Sequence, residues 1–420
     1  MGKHHSVASQ PRHVPRLILT VALIVCGILS LVGLVRTWPS SDPINVAPEF
    51  SQTFTFNLKQ VAGTVELVEE GSCQSPSAQQ VFDSGPVDSL EAGEQGCQRA
   101  IIRIDEGPDA GRHTLLISSG MPGDPEYHEG AKVLLTSSDG RYAFSDYDRG
   151  TALLIWGVVI ALAVIAFAAW RGLRALLGLA ITLSMVVIYL LPALLRGGNG
   201  ISLAVIGGAS VLYLVLFLVH GVNWKTASAL AGTLIALGLA AGLANWMIHS
   251  ANLRGLGSED NLKILLYLPD VSVRGLMLCG FIIGALGVLN DVTIAQASTV
   301  NELAALNPAS SPWRLFLGAM KVGRDHIASM IYTLVLSYTG AALPLLLLIE
   351  LSERSFWHIL SSDIVATELL RSGIGALALT LAVPLTTLIA AVTVPAHGSA
   401  SQLLSTGEHQ AHSAHQSSAE

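Results

Sequence analysis

Eight apolar stretches, each about long enough to cross a lipid bilayer, constrain the fold of this chain more than any other feature. They fall at residues 17–35, 151–170, 175–195, 201–220, 226–248, 275–296, 327–349 and 373–394. An α-helix rises 1.5 Å per residue, so about 20 apolar residues span the ~30 Å hydrocarbon slab. No water is available there to satisfy backbone N–H and C=O groups, so each stretch is driven to be helical. With 51% hydrophobic and 13% charged residues and a mean hydropathy of +0.56, the composition excludes an ordinary soluble enzyme. The expected fold class is mostly α: a polytopic membrane protein with eight transmembrane helices.

The first stretch reads as a retained anchor rather than a cleaved signal. Its apolar run is 19 residues long and lacks a small-x-small cleavage site, and Val25 precedes Cys26 where a lipoprotein box needs a small residue. Lys3, Arg12 and Arg16 ahead of it place the N-terminus in the cytoplasm, and an even number of crossings returns the C-terminus there. The later loops do not add to this, because six Lys or Arg residues fall on each expected side. The expected order is a cytoplasmic segment (1–16), the anchor (17–35), an extracytoplasmic β-rich domain (36–149), a seven-helix membrane domain (150–396) and a disordered cytoplasmic tail (397–420). The expected location is a membrane.

Within the extracytoplasmic region, strand patterning runs through 53–58, 63–69, 99–105, 113–118, 132–136 and 141–144. Turn chemistry such as Glu106-Gly107-Pro108, Pro122-Gly123-Asp124 and Asp139-Gly140 separates these runs. Five or six short strands predict a small antiparallel barrel, possible in an OB-like form. Cys73 and Cys97 both fall here, which suits a disulfide in an oxidising compartment and leaves two free thiols as the alternative. That bond would staple a polar insertion at 75–96. Two further segments, 258–268 and 312–324, read as short amphipathic helices on the outer and inner membrane surfaces.

The segment from Gly275 to Pro308 departs from a plain span. Only fifteen uncharged residues, Gly275 to Leu289, precede Asn290 and Asp291, which puts a carboxylate at membrane depth. Such a group is costly unless it faces the protein interior, finds a partner or takes up a proton, and it is a functional-site candidate by default. Gly280, Gly284, Gly287, Asp291, Ala295, Ser298 and Glu302 share one helical stripe by their steps of three and four. The glycines predict close helix packing, and Asp291, Ser298 and Glu302 predict a polar route toward the cytoplasm. The plainer alternative is a packed helix whose Asp291 bonds to a neighbour. In the next span, Asp325 and His326 are candidate proton-handling groups, with Ser329, Thr333, Ser337 and Gly340 as a possible hydrated path. The plainer alternative has Arg324 pair with Asp325 at the membrane surface. Pro344 and Pro384 mark expected kinks. His220 and Lys225 read as interface residues, and His409, His412 and His415 as incidental to a polar tail.

No P-loop, zinc-protease motif, nucleophile elbow or paired CxxC occurs, so no enzyme activity, cofactor or metal site is expected. A net charge of −7 argues against a nucleic-acid partner. The block GALGVLNDVTIAQASTVNEL, the upstream HGVNWKT, and the order of anchor, external β-domain and seven spans resemble the YibE/F-like family of bacterial membrane proteins. The resemblance implies this architecture and a location in the bacterial plasma membrane, and carries over Asp291, Ser298 and Glu302 as motif positions. A fainter likeness links Gly287, Asp291 and Asn301-Glu302-Leu303 to the membrane region of SecD/SecF and RND permeases. From these features the expected function is a proton- or ion-coupled permease or translocation factor. The partners are the lipid bilayer and a transported solute or ion that the residues do not name. The second reading is a scaffold or receptor whose external domain binds a protein or cell-envelope polymer.

Overall fold

The computed structural model describes residues 13–50, 59–87, 95–138 and 140–394. The strand expected at 53–58, the Asp139 turn position, Lys3 and Arg12, and the tail with its three histidines lie outside the described residues. The chain divides into two compact units, residues 48–172 and residues 1–47 with 173–420.

The smaller unit contains an antiparallel sheet of β1 (Gln60–Ser72), β2 (Val81–Phe82), β3 (Gln95–Ile104), β4 (His113–Ser118), β5 (Lys132–Ser138) and β6 (Arg141–Tyr147). The strand order is β2-β4-β3-β1-β5-β6. Alternation fixes its faces: Ala100, Ile102 and Ile104 of β3 are fully buried while Arg103 is exposed, as a period of two requires. They pack with Val65, Leu116, Val133, Leu135 and Tyr142. The sheet is a half-barrel, and the OB-like closure expected from sequence does not appear. Instead the segment between β1 and β2 bridges its ends: Tyr142 N donates to Gln79 O at 2.8 Å, and Ala78 pairs with Leu115. A disulfide joins Cys73 to Cys97 at the end of the β1–β3 ladder.

The larger unit is helical. Helix α1 is His13–Arg36; α2 (Gly150–Met185) enters from the smaller unit and continues through a π-helical turn (Val186–Leu190) into α3 (Leu191–Leu195). Then follow α4 (Gly200–His220), α5 (Trp224–Ser250), α6 (Glu259–Tyr267), α7 (Val273–Leu306), α8 (Pro312–Ala341), α9 (Leu343–Glu350), α10 (Phe356–Leu360) and α11 (Asp363–Thr393). Helices α5, α7 and α11 form the centre, where Ala236, Ala240, Ala285, Ala378 and Ala382 let the backbones come close. Starts are capped as the sequence dictates: Asn199, Asn223, Ser258, Ser272 and Ser311 each accept a backbone N–H of the first turn.

Among the described residues, six helices are long and apolar enough to cross a membrane, or seven if α8 with α9 is one span. The difference from eight arises because 151–170 and 175–195 lie in a single 46-residue helical run. That run leaves helical geometry at Ala169 (φ 48°, ψ −134°), two residues before Arg171. A second correction concerns 312–324, which does not form a separate surface helix but is the first part of α8. Nothing in that segment stops a helix; the break comes at Ala342, where Pro344 in the first turn of α9 accompanies a 68° bend. Pro384, by contrast, is carried inside the unbroken α11.

Candidate functional site

Helix α7 sorts its polar residues onto two faces. Gly280, Gly287, Asp291 and Glu302 are exposed, and Gly284, Ala295 and Ser298 are half-buried, so the expected stripe is the outward one. The close packing expected at all three glycines is confined to one of them. A Cβ at Gly280 or Gly287 would meet no heavy atom within 4 Å, whereas one at Gly284 would stand 2.6 Å from the Tyr338 hydroxyl of α8. Ser298 donates to its own helix, to Ile294 O at 2.7 Å.

The inward face of α7 carries Thr293 and Gln296, both fully buried. The Thr293 hydroxyl lies 2.6 Å from that of Thr233 on α5, and Gln296 Nε2 donates to Ala319 O of α8 at 2.8 Å. Gly323 of α8 makes room for Gln296: a Cβ there would come within 2.9 Å of Nε2 and 2.7 Å of Val383 on α11. Thr386 on α11 is fully buried against Gly232 of α5. Ser228 and Thr393 extend the same seam with hydroxyls 2.8 Å apart. A polar seam thus runs between α5, α7, α8 and α11. On the seam, Gln296 Oε1 and Thr386 Oγ1 are buried without a hydrogen-bond partner, as are Asn290 Oδ1 elsewhere on α7 and His326 Nδ1 on α8. Buried polar atoms are rarely left so, and each of these calls for a partner such as an ordered water or an ion.

Asp291 finds its electrostatic partner on another helix. His220, the last residue of α4, and Asp291 are close enough to feel each other's charge, and His220 also feels Lys225 of the first turn of α5. The Asn223 cap holds this corner, accepting from Thr226 N at 2.8 Å and donating to His220 O at 2.9 Å. Next to Asp291 on α7, Asn290 and Gly287 line a cavity of about 200 Å³ with Thr182 and the π-helical turn. Such turns are frequent at functional sites.

Of the residues singled out from sequence, Asp291 lies beside this site, and His326 is half-buried on α8. Glu302 and Asp325 are exposed, and Ser329, Thr333 and Ser337 point outward on α8. Among the described residues Arg324 and Asp325 form no ion pair, since neighbours in a helix diverge by about 100°. Sequence reading underweighted His220 and missed Thr233 and Thr386. A signal existed in the hydroxyls spaced by seven, Thr226 with Thr233 and Thr386 with Thr393, which mark one face of each helix. Among the described residues no group of three or more His, Cys, Asp or Glu is placed to hold a metal ion.

No curated protein and no solved structure matches the chain. The family model described as YibE/F-like protein matches residues 156–396, more than half of the 420 residues and both sequence blocks that build this site, and the chain belongs to the YibE/F-like family.

Proposed function

We propose that this protein is a proton- or ion-coupled permease or translocation factor of the bacterial plasma membrane. The reading rests on Asp291 of α7 lying within electrostatic reach of His220 of α4, which is itself within reach of Lys225 of α5, and on the buried polar seam beside them. An acid and an imidazole within such reach can hold or release a proton as the neighbouring charges change. The polar seam behind them, with its unpartnered Gln296 and Thr386 oxygens, supplies acceptors along α7. Movement of the carboxylate between His220 and the seam requires α7 to turn or slide against α5 and α11. Glu302 and His326 then act as a port and a relay.

The topology proposed with it has eight crossings and both termini in the cytoplasm. It is supported by the break at Ala169, which can divide the long helical run into two spans near Arg171 and Arg174, and by Arg16 at the start of α1. The test is reconstitution into liposomes holding a pH-sensitive dye, comparing the intact chain with Asp291→Asn and His220→Gln. A proton flux in the intact chain that both variants abolish supports the reading. Equal flux in all three, or none in any under an imposed gradient, overturns it.

A further inference from the structure

Helix α1 is more than an anchor, because it encloses a groove. Tyr213 of α4 donates from its hydroxyl to Leu23 O of α1 at 2.7 Å, a main-chain carbonyl on another helix. Gly27 and Gly33 lie against Tyr213 and Ile206, where an added Cβ would stand 3.5 and 3.0 Å away. Thr37, just past α1, places its hydroxyl 2.6 Å from that of Tyr189 in the π-helical turn. Around these contacts α1, α4 and the start of α5 border a cavity of about 650 Å³. Its walls are nearly all apolar and include Ile24, Leu31, Phe217, Trp224 and Ala227.

The N-terminal end of α1 has different chemistry. A second cavity, about 470 Å³, shares Thr20 and Trp224 with the first and is lined also by His13 and Arg16. Arg16 is held in place from two sides: Nε donates to Thr393 O, at the C-terminal end of α11, at 2.9 Å, and the guanidinium lies 5.1 Å above the Trp224 ring. The negative end of a helix dipole and an aromatic face both favour the cation there. Its Nη2 remains buried without a hydrogen-bond partner. An oriented cation therefore lines a cavity that is continuous in its walls, at Thr20 and Trp224, with an apolar groove.

We propose that this groove is a binding site for an anionic phospholipid, whose acyl chain lies between α1 and α4–α5 and whose phosphate meets Arg16. Both volumes fall within the range of about 300–1,000 Å³ typical of small-molecule sites. Charge complementarity chooses the occupant: a second copy of an apolar helix would leave Arg16 unmatched, and a free phosphate would leave the groove unfilled. The site is independent of Asp291, and its test does not use flux.

The experiment is native mass spectrometry of the intact chain released from mixed micelles containing equal phosphatidylglycerol and phosphatidylcholine, with inorganic phosphate as a competing arm. Preferential retention of phosphatidylglycerol, by about fivefold for one well-placed cation, is the expected result. Arg16→Gln abolishes the preference and Arg16→Lys keeps part of it. Ala227→Phe, which leaves Arg16 in place and fills the groove, lowers retention of lipid itself. Retention indifferent to headgroup charge, or insensitive to both Arg16→Gln and Ala227→Phe, overturns the proposal. Displacement of phosphatidylglycerol by inorganic phosphate alone overturns it in favour of a simple anion site.

Discussion

Replacing Gly200 with alanine should destabilise the helical unit, while the same change at Gly280 should not. Gly200 opens α4 directly against the backbone of Gly275: an added Cβ would overlap the Gly275 carbonyl oxygen and come within 2.5 Å of its carbon and 2.9 Å of its Cα. Backbone cannot swing aside as a side chain can, so α4 and α7 must separate. Overpacking of this kind costs about 1–3 kcal/mol. Gly200 is the first residue of its helix, after the Asn199 cap, so little helix propensity offsets that cost. Gly280 lies in the interior of α7 with nothing within 4 Å of its would-be Cβ. Alanine there gains about 0.8–1 kcal/mol of helix propensity. The two variants should therefore differ by roughly 2–4 kcal/mol, or about 4–16 °C in unfolding temperature at 2–4 °C per kcal/mol. Cys279, 3% exposed in the core that α7 shares with α4, provides the readout. A thiol-reactive dye reports its exposure during a thermal ramp at one fixed scan rate, in a Cys26→Ser background that removes the exposed thiol. Gly200→Ala unfolding with the parent, or Gly280→Ala falling as far as Gly200→Ala, would refute the reasoning and return the packing role to the outward stripe.

Three further outcomes follow from local geometry. A double-mutant cycle of Thr233→Val and Thr293→Val should give a coupling of about 0.6 kcal/mol and no more than about 1.7, measured by unfolding in mild detergent. Replacing Cys73 and Cys97 together with serine should cost the smaller unit about 3 kcal/mol in denaturant titration, because the bond closes a 24-residue separation. In the same unit the Ser119 hydroxyl, with the backbone N–H groups of Ser119 and Met121, holds the Asp124 carboxyl below its ordinary range. A depressed carboxylate stabilises above the unfolded value near 3.9 and loses that contribution as pH falls through the lowered value. Amide exchange across 119–124 should rise in that acid window, and Asp124→Asn should abolish the pH dependence; an unchanged profile in the variant would count against it.

Much of this architecture was legible one segment at a time. Apolar length alone marked α1, α4, α5, α7 and α11, and alternation alone marked β1, β3, β4, β5 and β6, because those signals are local to the chain. The Ser258 cap and acidic first turn announced α6 in the same way. What the local pattern misjudged were continuity and facing. Arg171 and Arg174 suggested a loop, yet the helix runs on past its break at Ala169, since arginine is a good helix former and only the backbone angle at Ala169 departs. The stripe from Gly280 to Glu302 was correctly placed on one face, but a helical period tells which residues share a face and not which face meets a neighbour.

In a soluble helix the polar face identifies the outside, but in a membrane helix both faces are apolar and that cue is lost. Only the tertiary structure decided that Thr293 and Gln296 turn inward while Asp291, on the outward face, comes within electrostatic reach of His220 at the end of α4. It likewise decided that Gly200, Gly232 and Gly323, rather than Gly280 and Gly287, are the glycines where helices touch, and that Arg16 sits over Trp224 and beneath Thr393. The sequence by itself determined the membrane class, the type of most elements, and the two blocks that carry the family. The approach of those two blocks joins residues about 70 positions apart, which no window along the chain contains.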